Sequence, residues 1–260
     1  MRHASRFAWL VWVLCSALAL WGPAGAQDLK IGYADEELRP FAMGNGQQRP
    51  NPPGIYIDLI NQIASELGIT VSYQRQPTKR GQHLLKTGEL DAYFSLSYRQ
   101  DRLDLGHFPM HNGAPDASKR IGAIAYHLYK LDKSRVDYDG TTIKNVGGPI
   151  GVNLGYSIAD DIRKMGLAVE EVKSTEANLK KLQLGRIAAF AGQDIDTDVW
   201  LEHKDYANIV KLPLPLASKD YFLLFSKQYL AVHPDTAHKF WTRLGEIRDE
   251  TVKKLAPKYR

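Results

Sequence analysis

The sequence predicts an α/β protein of two similar lobes, each a mostly parallel sheet flanked by helices. Strand and helix patterns alternate along the chain, and strands joined through helices pair in parallel. This alternation occurs twice, over residues 29–96 and again over residues 150–191. A short internal similarity supports the repeat, since LKTGELDAY at residues 85–93 resembles LQLGRIAAF at residues 182–190. We therefore expect a ligand site at the strand C-termini, in the cleft between the lobes.

The first half of the chain is predicted from apolar periodicity. Tyr56, Ile60, Ile63 and Leu67 recur at the spacing of one helix face, and Gly68 is suited to end that helix. The other predicted elements of this half are strands at 29–33, 69–73 and 92–96, a helix from 78 to 88 and a polar loop over 39–54.

The second half repeats this order. Ser157 and Thr175 are positioned to cap two helices, and Gly166 and Gly185 to end them. The predicted strands of this half lie at 150–154, 169–172 and 187–191.

Two further apolar runs, 120–129 and 221–225, are the predicted crossovers between the lobes. An amphipathic last helix around residues 240–247 would then return to the first lobe. The expected organisation is a leader over 1–26, lobe 1 over 27–118, lobe 2 over 119–217 and a return to lobe 1 over 218–260.

The first 26 residues have the pattern of a secretory signal peptide. Arg2 and Arg6 precede an apolar run, and Ala24-Gly25-Ala26 supplies the small residues of a cleavage site before Gln27. The run of about 14 residues is shorter than the ~20 that a membrane-spanning helix needs. We expect a mature protein in the periplasm. The only cysteine, Cys15, lies in this leader, so disulfides, thiolate metal sites and cysteine nucleophiles are not expected.

Charge gives no indication of a nucleic-acid partner. The 260 residues contain 34 basic and 29 acidic side chains, a net charge of +5. Removing the leader, with two arginines and no acid, leaves +3. With 44% apolar residues the chain has the composition of an ordinary globular protein, and we expect a monomer.

Several short pieces, taken in order and spacing, resemble the type II periplasmic solute-binding proteins, in the family that binds amino acids for ABC importers. The resemblance covers nearly all of residues 28–260. The pieces are Gly32-Tyr33 with Pro40-Phe41, the GIYIDL start of the first helix at 54–59, GELDA at 88–92, Asp101-Arg102, the GVNLGYS turn at 151–157, and Gly185-Arg186 leading to Gly192.

The resemblance implies that Arg102 grips the ligand's carboxylate, with Arg99 as a rival three residues away. A planar guanidinium is suited to this role because it can donate two parallel hydrogen bonds. Ser95 and Ser97, at the end of the third strand, match small polar ligand contacts in the family.

The same resemblance places a second carboxylate contact at Gly155-Tyr156-Ser157, before the first helix of the second lobe. Backbone N–H groups at a helix start can hold an anion, although plain capping by Ser157 fits the same geometry. Tyr33 and Phe41 are expected beside the ligand. Tyr56 fits the buried helix face better.

One departure from the family concerns the ligand's amino group. Amino-acid binders place an aspartate just after the strand that ends here at Gly192, whereas this chain has Gln193 there and Asp194 next. A neutral amide cannot balance an ammonium. Either Asp194 takes that role through a one-residue shift, or the ligand is not an α-amino acid.

No cofactor or metal site is predicted. Asp194, Asp196 and Asp198 have the spacing of a calcium loop, but Val199 replaces the required glycine. His107 and His111 are interrupted by Pro109, and glycine-rich nucleotide motifs are absent.

The leading hypothesis is therefore a non-enzymatic binding protein that presents a small carboxylate-bearing solute to the membrane permease of an ABC importer. One alternative is a dehydratase acting on prephenate-like or arogenate-like acids, with Asp194 or Glu36 as general acid. Another is a ligand-sensing or accessory protein of the periplasm with no role in transport.

Overall fold

The computed structural model describes residues 27–259 and shows two lobes that share one nine-stranded sheet. The strands are β1 (Gln27–Ala34), β2 (Ile69–Gln76), β3 (Ala92–Ser97), β4 (Met110–His111), β5 (Ala114–Pro115), β6 (Gly122–Leu131), β7 (Asp137–Tyr138), β8 (Ile143–Lys144), β9 (Ile150–Asn153), β10 (Val169–Val172), β11 (Ala189–Gln193), β12 (Ile209–Lys211) and β13 (Ala217–Phe225). The helices are α1 (Ile55–Glu66), α2 (Thr78–Thr87), α3 (Ile158–Lys164), α4 (Thr175–Gln183), α5 (Asp194–Leu201), α6 (Lys227–Val232) and α7 (Pro234–Leu255).

The sheet runs in the order β10-β9-β11-β6-β13-β3-β1-β2, with β12 pairing β6 beside this path. In lobe 1, β1 lies between β2 and β3 and is parallel to both. In lobe 2, β9 lies between β10 and β11 and is parallel to both. The predicted repeat of two parallel α/β units is confirmed. The predicted third strand of lobe 2 starts two residues later than expected, at Ala189.

Two long strands, β6 and β13, connect the lobes and run antiparallel to their neighbours. β6 pairs with β11 and β12 in lobe 2, and its first half pairs with β13. β13 pairs with β6 through its first half and with β3 of lobe 1 through its second half. The connection is therefore made of hydrogen-bonded strands.

The long helix α7 packs against α1, the first helix of the chain. Phe240, Leu244 and Ile247 form its buried face, and Arg243 makes an ion pair with Glu66 of α1. The Arg248 guanidinium donates to the carbonyl oxygens of the segment that enters β6, those of Ser118 and Arg120.

One predicted helix cap lies one residue earlier in the structure, and the other occupies its predicted position without a capping hydrogen bond. The cap of α4 is Ser174, whose hydroxyl accepts the N–H of Ala177, and Thr175 is the first helical residue. Ser157 does occupy the cap position of α3, but its side chain makes no capping hydrogen bond. Its hydroxyl is used in the cleft instead.

None of the helices within residues 27–259 is both long enough and apolar enough to cross a membrane. The predicted leader, including Cys15, lies outside the described residues.

Candidate functional site

A cleft lies at the C-terminal ends of the central strands, where residues of both lobes meet. It is lined by Tyr33, Ala34, Glu36, Glu37, Leu38, Ala42, Thr78, Tyr93, Phe94, Ser95, Leu96, Ser97, Arg102, Tyr126, Gly155, Tyr156, Ser157, Gln193 and Tyr221. Eight of the ten residues predicted to bind ligand are in this set, and Phe41 and Asp194 are not.

Arg102 lies in a short 3₁₀ turn after β3, and its side chain is buried with only 5% of the residue exposed. Nη1 donates to the carbonyl oxygen of Ser97 at 2.6 Å and to its hydroxyl at 3.0 Å. Nη2 donates to the carbonyl oxygen of Gly155 at 2.9 Å. A guanidinium has five N–H groups, and these bonds use three of them. The N–H of Nε and one N–H of Nη2 therefore remain free to donate. Two such groups are what a bidentate carboxylate requires.

The rival Arg99 is engaged elsewhere. Its guanidinium bonds to Asp101 and makes an ion pair with Asp160 of lobe 2, and it does not line the cleft. Burial lowers the pKa of Arg102, and the positive charge of Arg99 adds to this effect. A buried cation of this kind is costly unless an anion or several acceptors accompany it.

The lobes touch beside Arg102 through two serines. The Ser97 and Ser157 hydroxyls are 2.8 Å apart, and Lys219 of β13 donates to the Ser157 hydroxyl at 3.0 Å. Lys219 also pairs with Asp161 of α3, and burial lowers its pKa. No sequence motif pointed to Lys219. It adds a second cation behind this end of the cleft.

Ser95 has a left-handed backbone, with φ of 70°, in the middle of β3. It is the extra residue of a β-bulge, since Phe94 pairs with Leu223 and Leu96 with Phe222, leaving Ser95 without a partner on β13. Its hydroxyl has no hydrogen-bond partner among the described residues. A non-glycine residue in this conformation costs free energy, so it persists only where the surrounding structure holds it. Such residues concentrate at functional sites.

The Gly155-Tyr156-Ser157 turn lines the cleft, but two of its N–H groups are already used. Gly155 donates its N–H to Glu171, and Tyr156 donates to the carbonyl oxygen of Asn153. Gly155 adopts φ of 81°, and an added Cβ would lie 3.1 Å from Cε of Lys79 on α2. The expected anion contact through backbone amides is therefore replaced, for these two residues, by the Gly155 carbonyl accepting from Arg102.

A buried triad of hydroxyls and amide lies next to Arg102. Gln193 donates its Nε2 hydrogens to Tyr126 at 3.0 Å and to Tyr221 at 2.6 Å, and the two tyrosine hydroxyls are 2.5 Å apart. Tyr126 comes from β6 and Tyr221 from β13. Because both lie on the crossing strands, sequence reasoning about the lobes did not select them.

The predicted aromatic neighbours are divided. Tyr33 lines the cleft, stacks on Phe94 at 4.9 Å, and has a buried hydroxyl without a partner within residues 27–259. Phe41 instead stacks on Tyr56 at 4.5 Å, away from the cleft lining. Tyr56 is fully buried on the α1 core face, as expected.

Asp194 does not occupy the predicted place beside the ligand's amino group. As the first residue of α5 it turns Oδ1 back to the N–H of Ile195, and it does not line the cleft. The one-residue shift that would bring its carboxylate into the cleft is absent from this structure.

The opposite end of the cleft is acidic. Glu36 of lobe 1 and Asp196 of α5 line one continuous depression there, together with Ser174 and Thr175. Burial, the charge of Asp196 and that of Asp35 raise the pKa of Glu36 to about 7. Burial, opposed by the hydrogen bond from Thr175, raises the pKa of Asp196 to about 6. Within the described chain, no cation pairs with either carboxylate.

The aspartates with calcium-loop spacing have other partners. Asp196 accepts from Thr175, and Asp198 accepts from Tyr129 and Lys211. In the part of the chain that the structure describes, no three potential ligands are grouped to hold a metal ion.

Sequence comparison identifies no relative: no family model matches the chain, and no curated protein matches it. Solved structures match it by shape. An ancestral arginine-binding protein bound to glutamine has 17% identity and a TM-score of 0.68, covering 89% of this chain and 97% of that one. The substrate-binding protein of an amino acid ABC transporter has 15% identity and a TM-score of 0.68, covering 89% and 98%.

A histidine kinase sensor domain with similarity to periplasmic binding proteins matches with 13% identity and a TM-score of 0.71, covering 90% of this chain and 96% of that one. These neighbours are binding or sensing proteins, and at such identities they establish the architecture alone. Together with the two-lobed sheet and the cleft at its strand ends, they show that this chain has the fold of the type II periplasmic binding proteins.

Proposed function

We propose that this protein is a periplasmic solute-binding protein that captures a small carboxylate-bearing solute, an amino acid or a related organic acid. It delivers the solute to the membrane permease of an ABC importer and acts as a monomer. The observation that carries the proposal is Arg102, a buried cation at the junction of the lobes with two N–H groups left for a carboxylate.

The contacts around Arg102 link binding to closure. Its Nη2 donates to Gly155 of lobe 2, and Ser97 meets Ser157 of lobe 2 at 2.8 Å. A carboxylate held by Arg102 therefore lies where lobe 2 completes the enclosure. A ligand that binds only the closed arrangement shifts the population toward it by its differential affinity.

A sensing role is the second candidate, supported by the resemblance in shape to a histidine kinase sensor domain. The same pocket would then report the solute to a membrane kinase instead of releasing it to a permease. Deleting the gene separates the two roles, since a transport role predicts loss of solute uptake and a sensing role predicts loss of a transcriptional response.

A dehydratase is the remaining alternative, because Glu36, with its pKa raised to about 7, could donate a proton in the cleft. Incubation with prephenate or arogenate tests it. Steady product formation that is lost in Glu36→Gln would contradict the binding role, whereas saturable binding without turnover is the expected result.

The direct test of the binding role is mass spectrometry of the small molecule released when protein purified from cells is denatured. We expect a carboxylic acid at about one molecule per protein. Added back at about 100 times its dissociation constant, this ligand should stabilise the fold by about 2.7 kcal/mol in a thermal-shift experiment. A released ligand without an acid group would contradict the proposal.

A further inference from the structure

The number of hydrogens in the triad of Gln193, Tyr126 and Tyr221 limits how its members can be oriented. Its three hydrogen bonds link Gln193 to Tyr126, Gln193 to Tyr221, and one tyrosine hydroxyl to the other. The two tyrosines supply one proton each. Three bonds therefore need at least one proton from the Gln193 amide, so its NH₂ group, and not its oxygen, must face the tyrosines.

The reversed amide fails on the same count. If Oε1 faced the tyrosines, both hydroxyls would be consumed as donors to it, and the 2.5 Å contact between their oxygens would contain no hydrogen. Two oxygens at that distance need a shared proton. The assignment follows from the network and needs no observed hydrogen atoms.

With the NH₂ group inward, the two amide hydrogens serve the two tyrosines. Tyr221 also makes a hydrogen bond with Ser97, whose hydroxyl accepts from Arg102 and pairs with Ser157. The four hydroxyls of Tyr126, Tyr221, Ser97 and Ser157 therefore share three hydrogen bonds, and one hydroxyl hydrogen is left over. Both tyrosines line the cleft. The spare hydroxyl hydrogen is thus available to an acceptor on a bound molecule.

This donor lies next to the carboxylate anchor. Tyr221 lies opposite Ser97, whose hydroxyl accepts from the Arg102 guanidinium, and the Lys219 ammonium lies 6.0 Å from the centre of the Tyr126 ring. The acids near this end are paired, Asp161 with Lys219 and Asp101 with Arg99. Glu36 and Glu37 also line the cleft, toward its acidic end. Donors and positive charge therefore prevail at the end next to Arg102.

An ammonium at that position would lie near two cations, Arg102 and Lys219, and the aspartates on this side, Asp101 and Asp161, are already paired with cations. A carbonyl oxygen there would instead accept the spare hydroxyl proton. We propose that the solute is a 2-oxo carboxylic acid, selected over the corresponding 2-amino acid by the donor-rich triad of Tyr126, Tyr221 and Gln193. This inference rests on the proposed role of Arg102 as the carboxylate anchor.

The test is calorimetry with matched pairs: pyruvate and alanine, 2-oxoglutarate and glutamate, phenylpyruvate and phenylalanine. In the pair whose side chain fits, we expect the 2-oxo acid to bind tighter by about tenfold or more. Tighter binding of the amino acid by the wild-type protein would overturn the inference.

Gln193→Glu sharpens the test, since it keeps the shape of the side chain but replaces the NH₂ group by a charged acceptor. Both tyrosine hydroxyls would then donate to the carboxylate, so the spare proton disappears. The preference for the 2-oxo acid should fall or reverse. Gln228→Glu on the surface of α6 makes the same chemical change away from the cleft and should leave the preference unchanged. An unchanged preference in Gln193→Glu that is folded by circular dichroism would contradict the inference.

If Gln193→Glu does not fold, Tyr221→Phe is the second variant. It removes one hydroxyl proton from the triad, so the affinity for the 2-oxo acid should fall several-fold while the affinity for the amino acid stays unchanged. Equal losses for both ligands would overturn the inference.

Arg102→Ala separates this inference from the proposed function. If the amino acid is the tighter ligand and Arg102→Ala abolishes its binding, only the inference fails. If no acid in the panel binds, or binding survives Arg102→Ala, the proposed function fails with it.

Discussion

At one end of the cleft a buried cation, Arg102, is held by three hydrogen bonds to oxygens of both lobes. At the other end Glu36 and Asp196 share a depression, and no cation of the described residues pairs with them. The basic end is therefore compensated within the protein and positioned before ligand arrives. The acidic end relieves its repulsion by taking up protons, since the pKa of both carboxyls is raised. This polarity is what the proposed function requires of a cleft that binds a ligand with its carboxylate toward Arg102.

The largest effect is expected from Arg102→Ala. Removing one partner of a buried charge pair leaves the ligand's carboxylate without its counter-charge, which costs about 2–5 kcal/mol of binding. Isothermal calorimetry with the identified ligand measures this loss, and Arg99→Ala is the matched control at a half-buried ion pair outside the cleft. A larger loss in the control would move the anchor to Arg99.

Gly155→Ala tests the turn that accepts from Arg102. A residue with a Cβ at φ of 81° should lower the free energy of unfolding by about 1–2 kcal/mol. Gly166→Ala is the control, because Gly166 has φ of 79° and open space around the added Cβ. Denaturant unfolding should show similar losses in both variants, but only Gly155→Ala should also weaken binding. Unaltered binding in Gly155→Ala would separate this turn from the site.

A comparison of two helix starts should show a smaller effect. Ser174→Ala removes the cap of α4 and should cost about 1 kcal/mol of stability without changing ligand affinity. Ser157→Ala loses no cap but breaks the contacts to Ser97 and Lys219, so it should act on affinity. Thermal unfolding and calorimetry on both variants decide this. The opposite pattern would assign Ser157 a plain capping role.

The smallest effect concerns pH at the acidic end. The pKa of Glu36 is raised from 4.5 to about 7 and that of Asp196 from 3.8 to about 6, so the folded protein retains protons that the unfolded chain loses. Stability from these groups is complete below about pH 4 and decreases as the pH rises toward 7. Glu36→Gln should flatten this slope in melting temperature by a few degrees between pH 4.5 and 7.5. An identical slope in variant and wild type would contradict the raised pKa.

Local sequence patterns were sufficient to predict most of the helices and strands. Helix periodicity predicted α1 from Tyr56, Ile60 and Ile63, and alternation with helices predicted the parallel pairing of the strands. The site was harder, because Tyr126, Tyr221 and Lys219 come from strands chosen only as connections, and their roles depend on a register between distant segments. The prediction for Asp194 relied on position along the chain. The helix start instead turns its carboxylate toward its own backbone.

The bulge at Ser95 determines which way the end of β3 faces. Side chains alternate along a strand, so Phe94 and Leu96 would normally share a side. Here Phe94 packs in the main core cluster with Ala92, whereas Leu96 joins Tyr93 in the cluster on the other side of the sheet. The additional residue exchanges the side of the sheet on which each later side chain of β3 lies. This includes Ser97, whose hydroxyl accepts a hydrogen bond from Arg102. Loss of Ser95 by deletion would preserve almost the whole composition of the pocket and yet point its anchor partner to the wrong side.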